Sequence, residues 1–111
     1  MTDEVLEKEL IAEEILDEIA DLEEYARRGV RPPKCRGYRI KINGDRHEVK
    51  EPCITGEEVL ILAGLLPPEK YTLRVKIAGQ RPKKVGLTEK VDLTSLGVEK
   101  FKALPVDQTE G

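Results

Sequence analysis

Apolar side chains recur along the chain at two different periods, and the change of period marks the elements. Ile11, Ile15, Ile19, Leu22 and Ala26 return at spacings of four and three, with Val5, Leu10, Leu16 and Tyr25 widening the stripe. No Gly or Pro interrupts it. Arg27 and Arg28 sit where cations complement a helix dipole, and Gly29 comes next as a stop. The spacing predicts a long amphipathic helix from residue 3 to about 28. Such a stripe is buried against its own domain, a second copy or another protein. Ile11, Ile15, Ile19 and Leu22 are therefore the candidate docking residues. Residues 29–37 read as a linker, where Pro32–Pro33 favours an extended, semi-rigid backbone that holds the helix off the domain beginning at Tyr38.

From Tyr38 the period falls to two. Tyr38, Ile40 and Ile42 alternate with Arg39 and Lys41, and Asn43–Gly44 is a strong two-residue hairpin signal. That turn pairs Ile42 with Asp45, Ile40 with His47 and Tyr38 with Val49. It leaves His47 on the core face near its edge, as a filler. Thr55 and Glu58 form a capping box for a helix whose Val59, Leu62, Ala63 and Leu66 share one face. Leu60, Ile61 and Leu65 lie off that face, and Gly64 and Pro67–Pro68 close the helix.

Tyr71, Leu73, Val75 and Ile77 alternate with Thr72, Arg74 and Lys76 as a further strand. Gly79 and Pro82 turn the chain into a short strand in "KKVGL", and Leu93–Gly97 supplies another turn. A last strand, with Phe101 and Ala103 or Leu104 inward, ends at Pro105. This order of elements, with one wet face per strand, predicts an α+β domain over residues 38–104. Four or five strands would form one sheet with a helix on one side.

Charge divides the chain. Residues 1–28 hold 11 acids against 3 bases, a net of −8, while the remainder holds 11 acids against 16 bases, a net of +5. The mildly basic part has few aromatics to stack on bases, which argues against a nucleic-acid partner. No apolar run is long enough to span a membrane, and the acidic N-terminus lacks a signal core, so a cytoplasmic protein is expected. Cys35 and Cys53 read as reduced thiols. With one histidine and no C-x-x-C, no metal site assembles from the usual ligands, and no cofactor is expected. Cys53 lacks a histidine placed by any motif, and Glu57–Glu58 are explained by helix capping. The expectation is a protein that is not an enzyme.

Hairpin, capped helix, strand pair and closing strand, with a tail ending in Gly after them, resemble the β-grasp fold of ubiquitin. Residues 23–111 resemble the bacterial multiubiquitin family of ubiquitin-like proteins. The most specific pieces are "RPPK" before the first strand, "TGEE" opening the helix and "DQTEG" at the end. One copy of the domain is present where many relatives carry several. The resemblance implies a modifier encoded beside an ATP-using E1-like activating enzyme, an E2-like conjugating enzyme and a peptidase. Its C-terminal glycine would be adenylated, passed to cysteines as a thioester and joined to a target protein. Systems resembling this one are associated with bacterial stress or antiphage defence.

The tail, residues 105–111, suits that chemistry. Seven residues after Leu104 extend roughly 23–25 Å, enough to thread a narrow enzyme channel. Gly111 has no Cβ to crowd its carboxylate. Val106, Asp107, Gln108, Thr109 and Glu110 are the side-chain handles for E1, E2 or peptidase. An acid before a single glycine departs from ubiquitin's basic residues and double glycine, and implies dedicated enzymes. Two other classes stay open from the residues: a β-grasp sulfur carrier ending in a thiocarboxylate, and a non-conjugated interaction module acting or self-associating through the N-terminal helix.

Overall fold

A computed structural model describes residues 16–106 of the chain. Its elements run β1 (Leu16–Asp21), α1 (Leu22–Arg28), β2 (Cys35–Ile42), β3 (Asp45–Val49), β4 (Cys53–Thr55), α2 (Gly56–Leu62), β5 (Tyr71–Ile77), β6 (Lys83–Val85), β7 (Lys90–Asp92) and β8 (Val98–Pro105). A short 3-10 turn at Pro68–Lys70 precedes β5.

The β2–β3 hairpin has the predicted register, with Tyr38 opposite Val49, Ile40 opposite His47 and Ile42 opposite Asp45. Asn43 and Gly44 both take positive φ, 53° and 89°, the combination whose twist matches that of the flanking strands. β8 enters beside β2, parallel, at Phe101 opposite Ile42. It pairs antiparallel with β5 from Val98 to Pro105, and β6 pairs antiparallel with β5. The inward positions, among them Tyr38, Ile40, Ile42, Leu73, Val75, Phe101 and Ala103, form one core with Val59 and Leu60 of α2. The capping box opens α2: Thr55 Oγ1 accepts from the Glu58 N–H at 3.2 Å, and Glu58 Oε1 accepts from the Thr55 N–H at 2.9 Å.

The N-terminal region departs from its expected form. Residues 1–15, which carry Ile11 and Ile15, lie outside the described residues. Leu16–Asp21 is a strand instead of helix, paired parallel to β2 with Ile19 opposite Gly37, Ala20 opposite Tyr38 and Asp21 opposite Arg39. Hydrogen bonding explains this. Tyr38 and Arg39 pair with both β1 and β3, so those two strands take opposite edges of β2. β8 shares β1's edge but meets β2 only at Ile42. Without β1, the backbone groups of residues 35–39 on that edge would lack strand partners, and unpaired buried backbone groups are costly. The demand overrides the helical spacing.

Helix therefore begins only at Leu22, ending at Gly29 with φ 70°. It is not held off the domain by a linker. Leu22 is 1% exposed within the core, Ala26 is buried, and Tyr25 packs against the same cluster. Cys35, expected in the linker, is the first residue of β2 and is 4% exposed.

In α2 the buried side chains are Val59 and Leu60, while Leu62 and Leu66 are 37% and 60% exposed. The helix ends at Leu62 and Gly64 takes φ 76°, so Leu66 lies beyond the helix and off its spacing. Of the two residues offered for the inner face of β8, Ala103 is buried and Leu104 points out. β4 and β7 were not predicted. They pair only with each other, Cys53 opposite Asp92 to Thr55 opposite Lys90, and three residues are too few to show a period.

Candidate functional site

β8 carries the chain out of the sheet, and its end is fastened from two sides. Asn43, in the hairpin turn, donates from Nδ2 to the Ala103 carbonyl at 3.1 Å, and its Oδ1 accepts from the Ala103 N–H at 2.8 Å. On the other side, the ladder with β5 runs to Tyr71 opposite Pro105. Proline has no N–H with which to continue the ladder. The segment after Pro105 thus starts from a defined point beside the turn. Of the tail residues expected to be recognised by enzymes, Val106 is described and is half-buried. Asp107, Gln108, Thr109, Glu110 and Gly111 lie outside the described residues.

Beside this exit, on the face of the sheet away from the core, lies a groove of about 480 Å³. Lys41, Arg74, Lys76, Lys100, Lys102 and Leu104 line it. The pleat explains the composition: Leu73, Val75, Phe101 and Ala103 face inward, so the intervening residues face outward. Leu104, 42% exposed, is the apolar spot nearest the exit.

Acids from the first part of the chain reach one margin of this face. Glu23 of α1 meets Lys41 Nζ at 2.9 Å, and Asp21 of β1 lies 3.8 Å from Arg39. The hydrogen bond from Lys41 holds the Glu23 carboxyl below its ordinary range, against a smaller opposing effect of burial. At the end of β7, Asp92 is held low in the same direction, by hydrogen bonds from the Thr94 hydroxyl at 2.6 Å and the Thr94 N–H at 2.9 Å.

Of the docking stripe expected on the N-terminal helix, Ile11 and Ile15 lie outside the described residues. Ile19 is half-buried on β1 and Leu22 is part of the core, so neither presents a helical surface to a partner. The basic sheet face was missed as a site. Its residues were visible only as the polar positions of separate strands, and pairing is what gathers them. Among the described residues, no cluster of three His, Cys, Asp or Glu is placed to hold a metal, and no helix is long and apolar enough to cross a membrane. His47 is half-buried opposite Ile40, and the two cysteines are unpaired.

A hairpin, a capped helix on the sheet's inner face and a last strand seated between β2 and β5 define a ubiquitin-like β-grasp domain. Residues 38–105 match the multiubiquitin family, and the chain belongs to that family. No curated protein and no solved structure matches it.

Proposed function

We propose that the chain is a ubiquitin-like protein modifier activated at Gly111. In this reading the Gly111 carboxylate attacks the α-phosphate of ATP in an E1-like enzyme, releasing pyrophosphate. A cysteine thiolate then displaces AMP to give a thioester, an E2-like enzyme receives the acyl group, and a target nucleophile takes it. The β-grasp domain supplies no catalyst of its own and acts as the handle. The reading applies to Gly111 as encoded end or as a residue uncovered by a peptidase.

The observation that carries it is the multiubiquitin match combined with the way β8 ends. The match stops at residue 105, where the sheet stops. Beyond that point runs a short polar stretch closing on a glycine, launched from a strand end clasped by Asn43.

The test is reconstitution with an E1-like and an E2-like enzyme from the native host. The intact chain should support ATP–pyrophosphate exchange and form a thiol-labile adduct with the E2-like cysteine. A chain lacking Gly111 should do neither. If that truncated chain is still activated, the modifier reading fails. If protein from its native host instead shows oxygen-for-sulfur exchange at Gly111 and no high-mass adducts, the domain is a sulfur carrier.

A further inference from the structure

Lys102, Arg74 and Lys84 stand directly opposite one another across β8, β5 and β6, on the face away from the core. Lys100 and Lys76 repeat the juxtaposition in the next outward row of β8 and β5. Like charges directly opposite on neighbouring strands are destabilising. Little among the described residues offsets this: Arg74, Lys84 and Lys102 have no ion-pair partner there, Lys100 feels only the field of Glu23, and the Lys76 ammonium donates to the Ile77 and Gln80 carbonyls. Five cations on three rigid strands make a surface suited to a polyanion.

Where anions do reach this face, they come from one part of the chain. Asp21 and Glu23 pair with Arg39 and Lys41 at its margin. The residues just upstream continue the same charge: residues 1–15 contain Asp3, Glu4, Glu7, Glu9, Glu13 and Glu14 against Lys8 alone. They also contain Val5, Leu6, Leu10 and Ile11, for which the exposed Leu104 at the end of the groove is an apolar counterpart.

We propose that the acidic segment of residues 1–15 docks across this basic face of its own domain. Reach permits it. β1 starts opposite Cys35, whereas Lys102 lies one residue past the level of Ile42. That offset of about eight residues is roughly 26 Å along the strands. Fifteen extended residues span up to about 50 Å, leaving several to lie across the rows. Tethering favours the chain's own segment over another copy, because a short tether supplies an effective concentration on the order of millimolar. The proposal stands independently of conjugation at Gly111.

The test compares the full chain with a variant in which the six acids are neutralised (Asp3→Asn, Glu4→Gln, Glu7→Gln, Glu9→Gln, Glu13→Gln, Glu14→Gln). Backbone amide NMR shifts at residues 72–76, 83–85 and 100–104 should differ between the two chains at low salt. The difference should converge at high salt and stay constant on dilution. A synthetic peptide of residues 1–15 should bind the neutralised chain about tenfold more tightly than the intact chain, whose face is occupied. In the neutralised chain, Arg74→Gln with Lys102→Gln should abolish that binding. Identical shifts at the face in both chains overturn the proposal. So does a difference that fades on dilution, which assigns the face to the segment of a second copy. Equal peptide affinity for both chains also overturns it.

Discussion

Asn43 holds Ala103 by both ends of its carboxamide, 3.1 Å to the carbonyl oxygen and 2.8 Å from the N–H. The two residues are 60 apart in the chain. The contact joins the hairpin turn to the strand from which the tail departs, so one side chain serves the turn and the exit together.

That double duty can be separated by substitution. Asn43→Gly keeps the positive φ and loses the clasp, which should cost about 1–2 kcal/mol in urea denaturation. Asn43→Ala keeps a Cβ in the left-handed region without asparagine's tolerance of it, and should cost about 1–2 kcal/mol more than the glycine variant. In both variants the Ala103 amide should exchange with solvent faster than in the parent. Unchanged exchange there would show that the clasp does not hold the strand end.

Leu22 distinguishes a docked α1 from a helix kept free for a partner. Buried in the core, Leu22→Ala should destabilise the domain by about 2–5 kcal/mol through lost burial and the cavity left behind. A free docking helix would leave the denaturation midpoint where it was.

Acid should weaken the domain in a definite direction. Glu23 and Asp92 both have carboxyls held below their ordinary range in the folded protein, by Lys41 and by Thr94 respectively. Groups of this sign bind fewer protons folded than unfolded. Their contribution is complete above the unfolded carboxylate range, near pH 4, and is lost as pH falls through the lower folded values. Stability measured from pH 6 to pH 2 should fall less steeply in Glu23→Gln with Asp92→Asn than in the parent.

The two thiols should differ in reactivity. Cys35 is buried, and burial pushes its thiol up, with Glu18 adding in the same direction, while Cys53 is exposed. A disulfide reagent should therefore titrate Cys53 promptly in the folded protein and Cys35 only on unfolding. Prompt reaction of both would contradict the placement of Cys35 in β2.

Gly56 opens α2 against the carbonyl of Gly86, and a Cβ at this position would collide with that oxygen. Because the obstacle is backbone, relief requires the loop after β6 to move. Gly56→Ala should cost about 1–3 kcal/mol, and the Gly56 N–H bond to the Glu89 carbonyl should weaken with it.

Local rules determined the parts of this protein that depend on neighbours in sequence. The Asn43–Gly44 turn set the hairpin register residue by residue, and the Thr55–Glu58 capping box placed the start of α2. Alternation alone identified β5 and the inner face of β8 up to Ala103. The family match and the proposal for Gly111 also rest on sequence, since residues 107–111 lie outside the described structure.

Tertiary structure decided what no period encodes. The apolar positions from Leu16 to Asp21 suit a helix as well as a strand, and the open edge of β2 settled the matter. Leu62 and Leu66 satisfy a helical face by spacing, but α2 ends before the second can join it. The basic face is the clearest case. Lys84, Arg74 and Lys102 are each an ordinary polar position of a strand, and only antiparallel pairing sets them side by side.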